Sequence, residues 1–444
     1  MLSPTWARVV LSSLLLAFLI AVPAAFAHAP VAALDGMVAR AYERDIAGRA
    51  TASMKRDSAR VRRAPGGRRE SRGAGRGAQN GSRSGARDPR LAEQWPLQGD
   101  RPMGIESAWR QTTGGEVIVA VVDTGIDLEH PDLAQNLWVN RGEIPGNGVD
   151  DDRNGYVDDV HGYDFISDDG DPADENGHGT HVAGIIAARG GNRIGVAGVA
   201  WRARLMALRV LDRQARGNTE NVARAIRYAV DHGARVINLS LAGRNGSPEL
   251  QDAIAYAEAR DVVVVVAAGN SGANLARSPT YPAAYPNWNV IGVAATTDRG
   301  RLSRISDYGP GADLAAPGED ILSTAADGGY EWRSGTSMAA PHVAGTLVLL
   351  AAARPDLRGR ALRDALLGGA RWGRLQVEVG SLDAAGALRR VIPAERWKKA
   401  TAASSTRTRP AKSKATKATG ARGAKGKGAS GTRGKRTAAG RGRR

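Results

Sequence analysis

The sequence predicts an α/β fold, a three-layer sandwich in which a central, mostly parallel twisted sheet is flanked by helices. Three observations point there. From Glu116 onward, apolar runs of strand length alternate with segments of helical period, the pattern of strands buried on both faces and covered by helices. The five consecutive valines Val262 to Val266 lack the polar alternation of a half-exposed strand and read as a central one. With 444 residues, the chain can hold one large domain of this kind plus extensions, since single α/β domains run past about 250 residues.

Taken in order, Val117 to Val122 is a buried strand that ends at Asp123. Arg204 to Leu211 is another, followed by the helical stretch Asn221 to His232 and the strand Arg235 to Leu239. Pro248 to Arg260 is a helix that leads into the valine strand. On this reading Asp123 and Asn270 lie where strands end, while His178 and Ser337 lie where helices begin. Ligands of open α/β sheets bind outside the carboxyl ends of the strands, so these segments converge on the expected edge. Pro341 falls near a helix start, where its missing N–H is tolerated. No repeat of solenoid period is present.

Three short segments carry the chemistry: Val121-Val122-Asp123-Thr124-Gly125, Gly177-His178-Gly179-Thr180-His181 and Gly335-Thr336-Ser337-Met338-Ala339. A serine hydroxyl is a poor nucleophile at neutral pH. It needs an imidazole to take its proton and a buried carboxylate to hold the imidazole's tautomer. Ser337 is therefore the expected nucleophile, His178 its base and later the acid, and Asp123 the orienting carboxylate. Taken singly, Asp-Thr-Gly reads as a turn and Gly-Thr-Ser as a helix cap; their joint occurrence in order carries the catalytic reading. His181 invites a zinc reading with His178, but no glutamate lies between them as in His-Glu-x-x-His. His181 and His342 sit one turn into their helices and are expected to pack or hydrogen-bond structurally.

These blocks, together with Val236-Ile237-Asn238-Leu239-Ser240-Leu241, Ala267-Ala268-Gly269-Asn270 and Pro341-His342-Val343-Ala344-Gly345, resemble the subtilisin-like serine peptidases, or subtilases, from about Asp88 to about Ile392. The order Asp, His, Ser separates that family from the chymotrypsin and α/β-hydrolase orders. The resemblance implies that Asn270 supplies a side-chain donor to the oxyanion beside the backbone N–H of Ser337. It also implies that substrate lies as an added strand along Ser240, Leu241 and Ala242. The family usually has glycine at the position of Ala242, so that contact is expected to differ here. The primary specificity pocket is expected between Ala267, Ala268 and Gly269 and the loop at Thr280-Tyr281-Pro282. None of these is charged, which predicts a broad substrate range with preference for uncharged or apolar side chains.

Structural calcium is the expected cofactor, with no catalytic cofactor. Asp132 and Asn192, with carbonyls such as that of Ile194, resemble positions of the family's tight calcium site. Separately, Asp150, Asp152, Asn154, Gly155, Tyr156 and Asp158 follow the spacing of an EF-hand loop with glycine at its sixth position. His161 stands where that loop has its bidentate glutamate, so Asp159 or Asp164 would have to substitute; a solvated acidic turn is the alternative.

The ends are read by composition. Val9 to Val22 is an apolar run behind Arg8, followed by Ala25-Phe26-Ala27 as a cleavage site, so residues 1–27 are expected to be a signal peptide and the protein to be exported. An uncleaved anchor is the alternative. Residues 28–87 read as a short propeptide and basic Arg/Gly-rich linker, with maturation expected between Gly66 and Asp88. Residues 88–392 are the peptidase domain and 393–444 a basic disordered tail. The net charge of +17 is uneven: Lys398 to Arg444 holds 16 basic residues and no acid, which leaves the middle acidic. Such a tail would bind polyanions, nucleic acid or an anionic envelope, without sequence specificity; a solvated tail is the plain alternative, and a polyanion-binding protein with a silent peptidase domain is the rival function. The absence of cysteine excludes disulfides, thiolate metal sites and a cysteine nucleophile. The expected partners are protein or peptide substrates, and the expected state is a monomer.

Overall fold

The computed structural model describes residues 88–398; the stretches expected to be a signal peptide and a propeptide, and nearly all of the basic tail, lie outside them. Helices α1 (Ile105–Trp109), α2 (His178–Ala187), α3 (Thr219–Asp231), α4 (Pro248–Glu258), α5 (Thr336–Ala353), α6 (Gly359–Gly368) and α7 (Ala384–Val391) enclose a sheet. Its strands are β1 (Gly114–Asp123), β2 (Gly162–Asp164), β3 (Arg202–Arg209), β4 (Val236–Leu239), β5 (Val263–Ala267), β6 (Val290–Thr296), β7 (Leu314–Pro317) and β10 (Gly380–Ser381), in the order β10-β7-β6-β5-β4-β1-β3-β2. All seven pairings in this sheet are parallel. Strands β8 (Ile321–Ala325) and β9 (Gly329–Arg333) form a separate antiparallel hairpin.

The valine run shows why the sheet needs cover on both faces. Val263 and Val265 pack with Val119, Val121 and residues of α2 and α5, whereas Val264 and Val266 pack with Val122, Ile237 and residues of α3 and α4. Alternate side chains of one strand thus enter two different cores, which is the three-layer arrangement the sequence predicts. The amphipathic helices obey their own period: Val222, Ala225, Ile226 and Ala229 of α3 are buried, as are Leu250, Ala253, Ile254 and Ala257 of α4. Each starts on a capping side chain. Asn218 accepts from the Asn221 N–H at 2.7 Å and Ser247 from the Leu250 N–H at 3.3 Å. Helix α5 is long and apolar enough to cross a membrane, yet most of it is buried inside the protein, so its apolar character belongs to the core.

The chain runs from β1 towards β2 and β3 on one side and then returns to β4 on the other. The carboxyl ends of β1 and β4 therefore flank the point where strand order reverses, the place where open α/β sheets hold their ligands. Asp123 is the last residue of β1, Ser240 follows β4, and Asn270 lies in the loop after β5.

His342, in α5, is buried and its Nδ1 lies 2.8 Å from the Met338 carbonyl, to which it donates. Burial pushes this imidazole down to about 4, against the opposing pull of the Met338 and Pro317 carbonyls. The unfolded chain takes up a proton near pH 6.5 that the folded chain refuses. Stability from this group is therefore present above pH 6.5 and is lost as pH falls towards 4, by about 1.4 kcal/mol per pH unit. Denaturant unfolding of the Ser337→Ala protein between pH 7 and pH 4.5, compared with the same protein carrying His342→Gln, should show the shallower acid slope in the latter. Equal slopes would remove His342 from the account.

Candidate active site

The Asp123 carboxylate is fully buried. Its Oδ1 accepts from His178 Nδ1 at 2.7 Å and from the Thr124 N–H at 2.8 Å, while Oδ2 has no hydrogen-bond partner among the described residues. This bond places the proton of a neutral His178 on Nδ1 and leaves Nε2 as an acceptor. His178 is the first residue of α2, and the start of that helix is pressed against the end of β1. A Cβ on Gly179 would lie 2.1 Å from the Gly125 carbonyl oxygen, so only glycine permits the approach. The N-cap, Gly177, has no side chain to cap the helix; Asp174 does so instead. Its Oδ1 accepts the N–H groups of Asn176 and Gly177, and its Oδ2 accepts the N–H and hydroxyl of Thr180. Thr124 closes the junction by donating to Asp174 at 2.8 Å and accepting from the Gly179 N–H at 2.9 Å. Asp174 carries no local signal for this role beyond being an acid shortly before a helix start.

Ser337 is the second residue of α5. Its hydroxyl donates to the Ser240 carbonyl at 3.1 Å, not to His178, so the base–nucleophile hydrogen bond is not formed in this conformation. Such bonds are often open without substrate and close on binding. The Ser337 carbonyl would bond the N–H of residue 341 in a regular helix, but Pro341 has none. The Ser240 hydroxyl donates to it instead at 2.8 Å, itself accepting from Asn238 Nδ2 at 2.9 Å. The proline therefore frees a carbonyl that ties the nucleophile's helix to the segment after β4.

Asn270 is exposed, and its Oδ1 accepts both the backbone N–H of Thr336 at 2.8 Å and the Thr336 hydroxyl at 3.0 Å. With the oxygen end held, the amide nitrogen is the end left to donate. Thr336 precedes Ser337, so the donor and the nucleophile share one anchor. Of the expected substrate edge, Leu241 and Ala242 make no backbone hydrogen bond to a described residue. The next residue, Gly243, exchanges two with Tyr281 at 2.8 and 2.7 Å, which joins the edge to the loop expected to face it. Gly269 donates its N–H to the Thr336 hydroxyl at 3.1 Å.

His181 is buried in α2 with Nε2 lying 3.1 Å from the Ile321 carbonyl and 3.2 Å from that of Glu331. Burial holds it well below the usual histidine range. It ties α2 to both strands of the β8–β9 hairpin, and His178 and His181 belong to no cluster of potential metal ligands among the described residues.

The two candidate calcium regions differ. Asp132 is fully buried; its Oδ1 accepts from Asn192 Nδ2 at 2.7 Å and its Oδ2 from the Val196 N–H and the Tyr330 hydroxyl at 3.0 and 2.9 Å. Asp88, which sequence reading treats only as the start of the domain, bonds the N–H groups of Gly191 and Arg193 at 2.7 and 3.0 Å. Burial raises its carboxyl above the ordinary value, and the charge of Asp132 adds to this. Neither acid forms an ion pair among the described residues. Two acids and Asn192 thus surround one loop with no lysine or arginine paired to the acids among the described residues, a donor set that suits a hard ion.

In the acidic loop, Asp150 and Asp152 come together with Glu143, their oxygens within 4.8 Å of one another. Glu143, seven residues upstream of Asp150, was not anticipated. Asn154 and Asp158 point elsewhere: Asn154 bonds Asp159 at 2.9 Å, and Asp158 caps the N–H groups of Asn147 and Gly148 at 3.2 and 2.9 Å. Neither substitute for the missing glutamate serves. Asp159 is buried against Asn140 and Tyr228, and Asp164 pairs with Arg209 at 3.1 Å.

Comparison with known proteins gives the same reading as the geometry. The subtilase family matches residues 114–413. A thermophilic serine proteinase of Bacillus sp. (strain AK1) is 45% identical over 246 residues, 55% of this chain but only 54% of that protein. Thermitase of Thermoactinomyces vulgaris is 43% identical over 253 residues, 57% of this chain and 81% of the relative. A solved structure of proteases from Pseudoalteromonas arctica aligns with a TM-score of 0.58 at 31% identity, covering 69% of this chain and 99% of the other. On this match, and on a parallel sheet that brings Asp123 to His178 beside the Ser337 segment, the chain belongs to the subtilase family of serine-type endopeptidases.

Proposed function

We propose that the chain is an exported serine endopeptidase that cleaves peptide bonds through an acyl-enzyme on Ser337. The observation that carries this is the 2.7 Å bond from His178 to the buried Asp123, which leaves Nε2 free to act as a base. A substrate strand laid along Ser240, Leu241 and Ala242 displaces the Ser337 hydroxyl from the Ser240 carbonyl towards His178. The hydroxyl proton moves to Nε2 as Oγ bonds to the scissile carbonyl carbon, and the oxyanion is met by Asn270 Nδ2 and the Ser337 N–H. His178 then returns the proton to the leaving amine. Water, deprotonated by the same imidazole, releases the acyl group. The uncharged atoms of Ala267, Ala268, Gly269 and Thr280 favour apolar or uncharged side chains at the primary pocket.

Calcium is proposed as a structural ion, held by Asp88, Asp132 and Asn192 with the loop carbonyls, and by Glu143, Asp150 and Asp152. Bound there, the cation compensates carboxylates that otherwise repel one another. The tail beyond residue 392 is proposed to hold the mature enzyme, a monomer, to anionic surfaces.

Ser337→Ala should lower kcat on a chromogenic peptide by about 10⁶, and Asn270→Ala by about 10² to 10³ with little change in KM, both scales having been measured within this family. Substrates with leucine at the cleaved position should exceed those with glutamate. Casein turnover that persists in Ser337→Ala removes the reading.

Calcium should raise the thermal midpoint of the Ser337→Ala protein and EDTA should lower it, with the response reduced by Asp132→Asn. A midpoint indifferent to both reagents would count against the ion.

Deleting residues 399–444 should abolish salt-sensitive retention on anionic vesicles and DNA. Equal retention with and without them disposes of the tail's role.

A further inference from the structure

Asp307, in the loop between β6 and β7, plays no part in the chemistry above, yet it is fully buried and grips the backbone on both sides of Asn270. Its own N–H donates to the Gly269 carbonyl at 2.8 Å. Its Oδ1 accepts the N–H groups of Ser271 at 2.9 Å and Ala273 at 2.8 Å. The residues immediately before and after the oxyanion donor are therefore bonded to this one residue. The second oxygen lies under Gly269, where an added Cβ would come within 2.3 Å of Oδ2 and where φ is +116°, and it faces the Thr280 hydroxyl at 3.4 Å.

No lysine or arginine pairs with Asp307 among the described residues. A carboxylate buried without a cation is costly. A negative charge behind the place where an oxyanion develops is also electrostatically adverse. Solvation and field thus both disfavour an acid here, and what remains in its favour is the shape of its hydrogen bonds: two N–H groups accepted and one donated, which fix the alternate residues Gly269, Ser271 and Ala273 around Asn270.

We infer that Asp307 is a positioning residue for the oxyanion donor: it locks the backbone of Gly269, Asn270 and Ser271 while Thr336 holds Asn270 Oδ1, so that the amide nitrogen keeps a single direction. The inference rests on the oxyanion role proposed for Asn270. A donor aimed by two independent clamps pays no reorganisation when charge develops, and misplacement by about 1 Å can cost roughly 10²-fold in rate.

The test uses the full-length chain and a chromogenic peptide with leucine at the cleaved position. Asp307→Ala should lower kcat by about 10- to 100-fold while KM stays within about twofold, and should weaken a peptide aldehyde, whose adduct oxygen occupies the oxyanion site, by a similar factor. Asp307→Asn should stay within about threefold of wild type, because its oxygen can accept both N–H groups and its NH₂ can face the Thr280 hydroxyl. In an Asn270→Ala background, Asp307→Ala should change kcat by less than about twofold, since the clamp then has no donor to aim. A full additional loss in that background, an Asn variant as impaired as the Ala variant, or a loss confined to KM each overturns the inference. Thermal unfolding monitors folding, and Asp307→Ser carries the same expectation should the alanine variant not fold. If Asn270→Ala is impaired but Asp307→Ala is not, only this inference falls. If Ser337→Ala shows turnover equal to wild type, the proposed function falls with it.

Discussion

The buried Asp123 carboxylate is the constraint around which the rest is arranged. It is shielded from solvent, and among the described residues it forms no ion pair with lysine or arginine and accepts only two hydrogen bonds, from His178 and Thr124. Desolvating a charge with so little compensation works against folding. The surrounding structure supplies what holds it there: Gly179 lets α2 come against the end of β1, Gly125 lets Pro172 and Ala173 approach, and Asp174 with Thr124 stitches the segments together. That junction brings an imidazole to a carboxylate 55 positions earlier in the chain.

The second half of the site depends on a helix made deliberately incomplete at its start. Pro341 cannot donate to the Ser337 carbonyl, and Ser240 takes the vacancy in the ladder. Thr336 in turn holds Asn270, and Asp307 holds the residues flanking Asn270. The proposed nucleophile, substrate edge and oxyanion donor therefore form one hydrogen-bonded unit contributed by the ends of β4 and β5 and the beginning of α5. Asp123 and His178 form the other. The fold's parallel order brings the two units to the same edge, because β1 and β4 are neighbours.

What the sequence made legible was whatever is encoded locally. Five valines in a row need two apolar faces, and helical period marks the segments around them, so strand and helix assignments from Val117 to Val266 agree with the structure to within two residues at most ends. The triad segments were legible because each carries its own glycine-rich signature. The roles of Asp88, Glu143, Asp174 and Asp307 were not, since an acid's function is set by N–H groups and carboxylates it meets only after folding. Asp88 meets its partners more than 100 residues away. The spacing of Asp150 to Asp158 suggested one continuous loop of ligands. The backbone instead turns so that Asp158 caps a different bend, and Glu143 fills the gap from upstream. The β8–β9 hairpin was also unread, because its short strands pair with each other and not with the sheet.

That hairpin connects the proposed calcium loop to the nucleophile. Tyr330 of β9 donates to Asp132, and its ring packs where a side chain on Gly195 would stand, 2.0 Å from the hydroxyl. His130 bonds the Gly329 carbonyl at 3.0 Å, and His181 grips both strands from the other side. Strand β9 then runs into Gly335, Thr336 and Ser337. Through β9 the Asp132 loop is joined to the segment that carries Ser337, and through His181 and the Ser323 and Thr324 hydroxyls, which donate to the His181 and Thr180 carbonyls at 2.8 and 2.7 Å, the hairpin is joined to α2 and His178 as well. A cation at the proposed site would therefore bear on Ser337 through β9 and on His178 through α2.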